Sequence, residues 1–353
     1  MALRYRDSVT DGEVSSAEQE AFNNGRALVA LGPPGCGKTY VLDYLVRKAQ
    51  ASGARALVCV PTGQLASEMR VRHPNTEVDT CHGGLLLFKP LREVLPLMTQ
   101  YDVIIIDEIS QLNSEQFGFI MQLWEAAGRI PALIISGDFW QLPPILQHGA
   151  QPVYESSFFN SRYIQKCEFT TNDVWRIKDE TLAGKLRTLR KSMPTDDELK
   201  DIVRGHKAWP GNQPTAWDIL QLWRKTEHET IVATCSKLGA ATVNSLAVQV
   251  LHRDRHQPNL GTLPFDWESN PCNYDDHGKV RFDCELQPLM QDVYVGMSDF
   301  LTKNVQKKHD FVNGMAAVIE ILDVVYGTLY VRAKTNKLHK VYHFTHDVDL
   351  PEG

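Results

Sequence analysis

The chain has 353 residues, 43% hydrophobic and 23% charged, with 37 Lys and Arg against 43 Asp and Glu for a formal charge of −6. At about 150 residues per domain this gives two or three domains with cores of their own, and the composition excludes disordered, collagenous and coiled-coil chains. An acidic chain does not attract nucleic acid as a whole, yet residues 303–340 hold seven basic side chains against three acidic ones, either a local basic groove or a plain solvated face.

No apolar run approaches the ~20 residues of a membrane helix, and residues 1–20 lack both the apolar stretch of a secretory signal and the character of an organelle-targeting peptide. The seven cysteines are scattered without a Cys-x-x-Cys pair. That argues against a disulfide framework or a zinc site and suits a reducing, intracellular compartment, with nucleus, organelle and cytoplasm left open.

In chain order, Arg26–Leu31 reads as a buried strand leading into a glycine loop and a helix that begins near Lys38. Ala56–Val60, Asp102–Ile106 and Ala132–Ser136 are further strands, separated by helical stretches such as Ser114–Ala127. Continuous rather than alternating apolar strands imply a parallel sheet covered on both faces. The pattern restarts near Tyr163, with helices expected at Glu180–Arg190 and Asp196–Arg204, a strand at Thr230–Thr234 and a helix over Leu238–Leu251. Residues 252–280 read as a long irregular connection. Short strands over 289–348, punctuated by Asn313-Gly314 and Tyr326-Gly327, fit a small antiparallel barrel. The expected divisions are 1–160, 161–252 and 253–353.

Gly32-Pro33-Pro34-Gly35-Cys36-Gly37-Lys38-Thr39 satisfies G-x-x-x-x-G-K-[ST] between an expected strand and an expected helix. Glycines let backbone N–H groups curl round an anion at a helix N-terminus. Lys38 would then reach the β- and γ-phosphates of a nucleotide and the Thr39 hydroxyl would hold Mg²⁺, with Tyr40 opening the helix beside them. Asp107-Glu108 ends a strand about 70 residues later. Asp107 suits the metal's shell and Glu108 a general base for an attacking water. Gly137-Asp138-Phe139-Trp140-Gln141 follows the next strand; Gln141 could sense the γ-phosphate, while the two aromatics meet either a base or the core.

These motifs, in this order, resemble those of superfamily-one DNA helicases, and most closely the Pif/RecD-like group. The resemblance takes in Val60-Pro61-Thr62-Gly63-Gln64-Leu65-Ala66 and Thr80-Cys81-His82-Gly83, then Val174-Trp175-Arg176, the segment Thr234–Asn244, and Val295–Asn304 with Phe311–Gly314. It spans roughly residues 14–345. It implies an α/β fold with a RecA-like parallel-sheet ATPase domain and a second, incomplete RecA-like domain carrying a small SH3-like β-barrel insertion. It also implies an ATP- and Mg²⁺-dependent enzyme, taken as a monomer, that moves 5′-to-3′ on single-stranded DNA and unwinds duplexes or junctions. Such enzymes serve DNA repair, recombination, replication or telomere maintenance, and none of this involves a membrane. By the same resemblance Gln19 reads adenine, Arg176 reaches the γ-phosphate as an arginine finger, and Pro61, Thr62, Gly63, His82 and Trp140 meet nucleic acid. The group's later Thr/Ser-x-His-Lys-x-Gln-Gly segment and a last arginine motif have no counterpart here, so a C-terminally truncated chain with weak hydrolysis is expected. An RNA-directed superfamily-one helicase and a nucleotide-gated DNA-binding module without unwinding activity are the alternatives.

Overall fold

The structure, a computed structural model, describes residues 25–141, 143–144, 151–169, 176–204, 214–225, 232–265, 267–275, 277–281, 285–300, 315–323, 328–333 and 338–342. Gln19, Val174, Trp175, Lys303, Asn304 and the Asn313-Gly314 and Tyr326-Gly327 turns lie outside them. The chain divides into two compact units, Met1–Ile202 and Val203–Gly353.

The first unit is built on β1 (Ala27–Leu31), β2 (Ala56–Val60), β3 (Glu77–Thr80), β4 (Val103–Ile106), β5 (Ala132–Gly137) and β6 (Ile164–Glu168). They form one sheet in the order β3-β2-β4-β5-β1-β6, every pairing parallel. Between them run α1 (Lys38–Ala51), α2 (Gly63–Arg72), α3 (Cys81–Gly84), α4 (Leu91–Met98) and α5 (Ser114–Ala126); α6 (Glu180–Lys191) and α7 (Asp196–Val203) follow the sheet. The strand side chains alternate between two cores, as a period of two requires. Val29, Leu57, Cys59, Ile104, Ile106, Leu133 and Ile135 face one, where Phe117, Ile120, Met121 and Trp124 of α5 pack. Leu28, Ala30, Val58, Val60, Ile105 and Ile134 face the other, closed by Val41, Leu42, Leu45 and Val46 of α1 and by Ala66 and Met69 of α2. Both faces are thus buried, which is why the inner strands β1, β2 and β4 are apolar throughout.

The sheet reaches past residue 160. Ala27–Leu31 pairs along its whole length with β6, so the residues after Tyr163 extend the first sheet before any second unit begins. The β3 segment Glu77-Val-Asp-Thr, short and polar at the sheet edge, has little apolar signal of its own.

In the second unit α8 (Ala216–Lys225) and α9 (Lys237–Val248) precede β7 (Asn259–Pro264), β8 (Met290–Tyr294), β9 (Ser298–Phe300), β10 (Ala316–Asp323), β11 (Thr328–Ala333) and β12 (Leu338–Tyr342). Ser236 caps α9 by accepting from Gly239 N, and a π-helical turn, Gln249–Arg253, continues it to the length expected. Two expectations are corrected here. Residues 232–234, the described part of the expected Thr230–Thr234 strand, are not extended into a sheet. The supposed irregular connection contains β7, paired antiparallel with β8. Beyond it, β9 to β12 form a four-stranded antiparallel sheet in the order β12-β11-β10-β9. Its core of Ile319, Leu322, Leu329 and Val331 also takes in Val293 of β8.

Candidate active site

The carboxyl ends of β1, β4 and β5 are neighbours in the sheet, so the three loops that follow them meet at one edge, where open α/β sheets bind ligands. After β1, Gly32–Gly37 turns into α1. Gly37 caps that helix at φ 98 and Gly35 has φ 76, both in the left-handed region that a glycine adopts without a Cβ penalty. Gly35 is needed a second way, since a Cβ there would lie 2.6 Å from the Arg176 Cβ. Arg176 therefore packs directly on the loop.

A cavity of about 380 Å³ opens here. Pro34, Gly35, Gly37, Lys38, Thr39 and Tyr40 line one side of it, and Glu108, Gln141 and Arg176 close it. Lys38 is buried, its Nζ donating to the Gly32 carbonyl (2.7 Å) and the Pro33 carbonyl (2.9 Å). Gly32, Pro33 and Cys36 of the loop are buried and are not among the cavity's lining residues. The Cys36 side chain joins the core over α1, and burial raises its thiol pKa, so it is a packing group.

Asp107 is 7% exposed. Its Oδ1 accepts from the Glu108 amide (2.9 Å) and from the Ser136 hydroxyl of β5, which fixes the carboxylate between two strand ends. Glu108 is held at φ 55 and ψ 45, a conformation that strains a side-chain-bearing residue and turns it toward the cavity it lines. Its Oε2 is buried with no partner among the described residues. Burial is the largest cause of a raised Glu108 pKa, followed by the Asp107 carboxylate; Lys38 and Arg176 partly offset them. A carboxylate poised this way takes a proton readily and has an oxygen to offer a water.

Asp138, after β5, is fully buried and takes a bidentate pair from Arg190 of α6, Nη2 to Oδ1 at 2.7 Å and Nη1 to Oδ2 at 2.8 Å. The same carboxylate accepts from the Trp140 amide and from Gln141 Nε2, each at 3.2 Å. Nothing in the local sequence marks Arg190 or Ser136 as site residues: each sits inside a segment that reads only as helix or strand. The two aromatics after Asp138 separate cleanly. Phe139 packs edge-on against Phe159 and Tyr154, while Trp140 is 63% exposed.

Pro61, Thr62 and Gly63 follow β2, and His82 follows β3, farther along the same edge. Thr62 caps α2 by accepting from Leu65 N (3.3 Å). His82 is exposed and its Nε2 lies 3.0 Å from Gln116 Nε2. Since Gln116 Oε1 accepts from Asn113 N, its amide nitrogen is the donor and His82 Nε2 the acceptor. Trp140 stands two strands from β2, on the cavity side of the edge.

A cation fits this donor set only in company. Among the described residues no group of three His, Cys, Asp or Glu could hold a metal alone. One hydroxyl, that of Thr39, and one carboxylate, that of Asp107, tethered through a single oxygen, suit Mg²⁺ shared with phosphates and water. No helix among the described residues is long and apolar enough to cross a membrane.

Comparison with known proteins agrees with the motif order. A family model described as an AAA domain matches residues 15–147. The chain is 25% identical over 339 residues to human ATP-dependent DNA helicase PIF1, covering 87% of this chain and 46% of that protein. It is 24% identical over 339 residues to the Xenopus laevis protein of the same name, covering 86% and 46%. Thus the chain spans less than half the length of these relatives. Among solved structures, one of Pif1 helicases coordinating at forked duplex DNA superposes with a TM-score of 0.61 at 19% identity, over 93% of this chain and 75% of that one. A Bacteroides Pif1 bound to single-stranded DNA gives 0.58 at 20% identity, over 93% and 73%. The likeness read from the motifs is present in sequence, and the fold is shared.

Proposed function

We propose that this chain, similar to the PIF1 helicases in sequence and alike in fold, is an ATP-dependent DNA helicase. It hydrolyses ATP and couples turnover to movement along single-stranded DNA. The observation that carries the reading is the cavity itself: a phosphate-binding loop, a half-buried base with an unsatisfied oxygen, and Gln141 and Arg176 all line one space.

The loop and the N-terminus of α1 receive the triphosphate, and Lys38 leaves its loop carbonyls to meet the β- and γ-phosphates. Gln141 orients a water beside Glu108. Glu108 takes its proton as the water oxygen bonds to the γ-phosphorus and the bond to the β-phosphate oxygen breaks. Arg176 spreads its charge over the departing phosphoryl group. Thr39 and Asp107 would hold Mg²⁺, which when bound neutralises charge on the phosphate oxygens. Loss of the γ-phosphate releases Arg176 and Gln141, a local change able to bias a larger movement. Pro61, Thr62, Gly63 and His82 offer backbone, hydroxyl and imidazole donors to single-strand phosphates, with Trp140 available to a base. An enzyme acting on DNA works inside the cell, the setting that scattered cysteines without a Cys-x-x-Cys pair suit.

The test is ATP turnover with and without single-stranded DNA or RNA. DNA should stimulate it, and Lys38→Ala should lower it by about 100-fold or more, as loss of a group contacting the transferred phosphoryl does. Turnover indifferent to Lys38 would refute the site, and stimulation by RNA alone would reassign the substrate.

A further inference from the structure

We infer that Arg190 is a positioning residue for hydrolysis: through Asp138 it locks Gln141 in place and anchors the helix that follows Arg176. The inference rests on the ATPase reading above and deepens it.

Asp138 is 1% exposed and its carboxylate receives four hydrogen bonds, two from the Arg190 guanidinium, one from the Trp140 amide and one from Gln141 Nε2. Gln141 N also donates to the Asp138 carbonyl, at 3.1 Å. Gln141 is thus held by main chain and side chain to a single residue. With Nε2 committed to Asp138, Oε1 is the atom it offers to a water in the cavity. On the other side Arg190 belongs to α6, whose N-cap, Asp179, lies three residues after Arg176. Asp179 secures that end of the helix by accepting from Thr181 N (2.8 Å) and Leu182 N (3.2 Å). Arg176 rests on Gly35, so the helix is fixed near its start against the phosphate loop and near its end against Asp138. Two side chains that face the γ-phosphate position share one ionic anchor.

The chemistry of the anchor makes it hard to replace. Burial alone would raise the Asp138 pKa, but Arg190, the Trp140 amide and Gln141 together hold it below its ordinary value. Removing the guanidinium leaves a buried carboxylate without its countercharge, so Asp138 takes up a proton or turns toward water. Either response redirects Gln141. A lysine supplies charge but not the planar fork that bonds both oxygens.

The experiment compares Arg190→Ala and Arg190→Lys in the full chain, alone and with Gln141→Ala. Displacement of about 1 Å at a reacting group costs up to about 100-fold, so we expect Arg190→Ala to lower kcat at least about tenfold while KM for ATP stays within about threefold. Arg190→Lys should fall between the two. Added to Gln141→Ala, Arg190→Ala should cost less than it does alone, because residues acting as one unit are not additive. Independently of turnover, hydrogen exchange at the Trp140 and Gln141 amides should quicken in Arg190→Ala, with residues 32–40 unchanged. Unchanged kcat and exchange, or exchange that quickens equally throughout the first unit, would overturn the inference. Should the unaltered chain hydrolyse nothing, the ATPase reading fails, and the exchange measurement still decides whether Arg190 holds the loop.

Discussion

Glu108 concentrates the conflict between folding and chemistry in one residue. Its left-handed backbone costs about 1–3 kcal/mol for a residue with a side chain, and its buried Oε2 lacks a partner. Burial and the neighbouring Asp107 both disfavour the charge. Because the folded-state pKa is raised, the protonated form stabilises the fold. That contribution is fully present below the ordinary glutamate value and is lost as pH rises through the raised one. In the ionised form that the proposed base needs, Glu108 therefore works against stability. Glu108→Gln should abolish turnover, retain nucleotide affinity and raise Tm by roughly 2 °C, the shift that about 1 kcal/mol gives a chain of this size. The acid limb of the turnover profile should fall at a pH above that of an ordinary glutamate. Asp138, whose pKa is lowered, keeps its stabilising charge through that same range and loses it only further into acid. A variant with lower Tm, or an unaltered chain whose acid limb falls at the ordinary glutamate value, would contradict this account.

At the scale of elements, α5 links the two ends of the candidate site. It starts soon after Glu108, through the turn Ile109–Gln111, and its N-terminus is closed by a capping box. Asn113 Oδ1 accepts from Gln116 N (2.9 Å) and Gln116 Oε1 accepts from Asn113 N (3.0 Å). The same Gln116 holds the ring of His82. Asn113→Ala should cost about 1 kcal/mol of stability by the usual value of a cap. It should also free Gln116 and lower single-strand affinity through His82, whereas Glu115→Ala on the same turn should leave that affinity unchanged. Denaturant unfolding and anisotropy on one sample set test both. Elements of this kind are legible when their signal is local. Ala56–Val60 is readable because an unbroken apolar run announces it, and Ser114–Ala127 reads as helical. By contrast β3 is four residues with one buried apolar side chain. Likewise β6 has only Ile164 and Cys167 buried, and owes its existence to pairing with β1. Residues 232–234 show the reverse failure: β propensity alone does not extend them into a sheet.

Over the whole molecule, the phosphate loop, Asp107-Glu108 and Gln141 were legible because each sits within a few residues of a strand end. The pairings that tune them were not, since Ser136 lies 29 residues from Asp107 and Arg190 lies 52 from Asp138. Only the folded sheet edge brings such partners together. The net charge of −6 adds a constraint on the proposed DNA work. The residues proposed above to meet the single strand offer hydroxyl, backbone and imidazole donors rather than ammonium or guanidinium groups, and such donors displace few counterions. Binding should then depend weakly on salt, with a slope no steeper than about −2, given about −0.7 for each phosphate neutralised on a single strand. In the proposed function Trp140, exposed and with its amide held by Asp138, supplies stacking instead. Trp140→Ala should weaken single-strand binding by about 1–3 kcal/mol and leave the salt slope unaltered, because stacking releases no counterions. Anisotropy titrations across a salt series distinguish the outcomes: a steep slope for the unaltered chain would mean that a basic stretch of sequence such as residues 303–340 dominates, and a slope changed by Trp140→Ala would mean that the ring acts by placing charge.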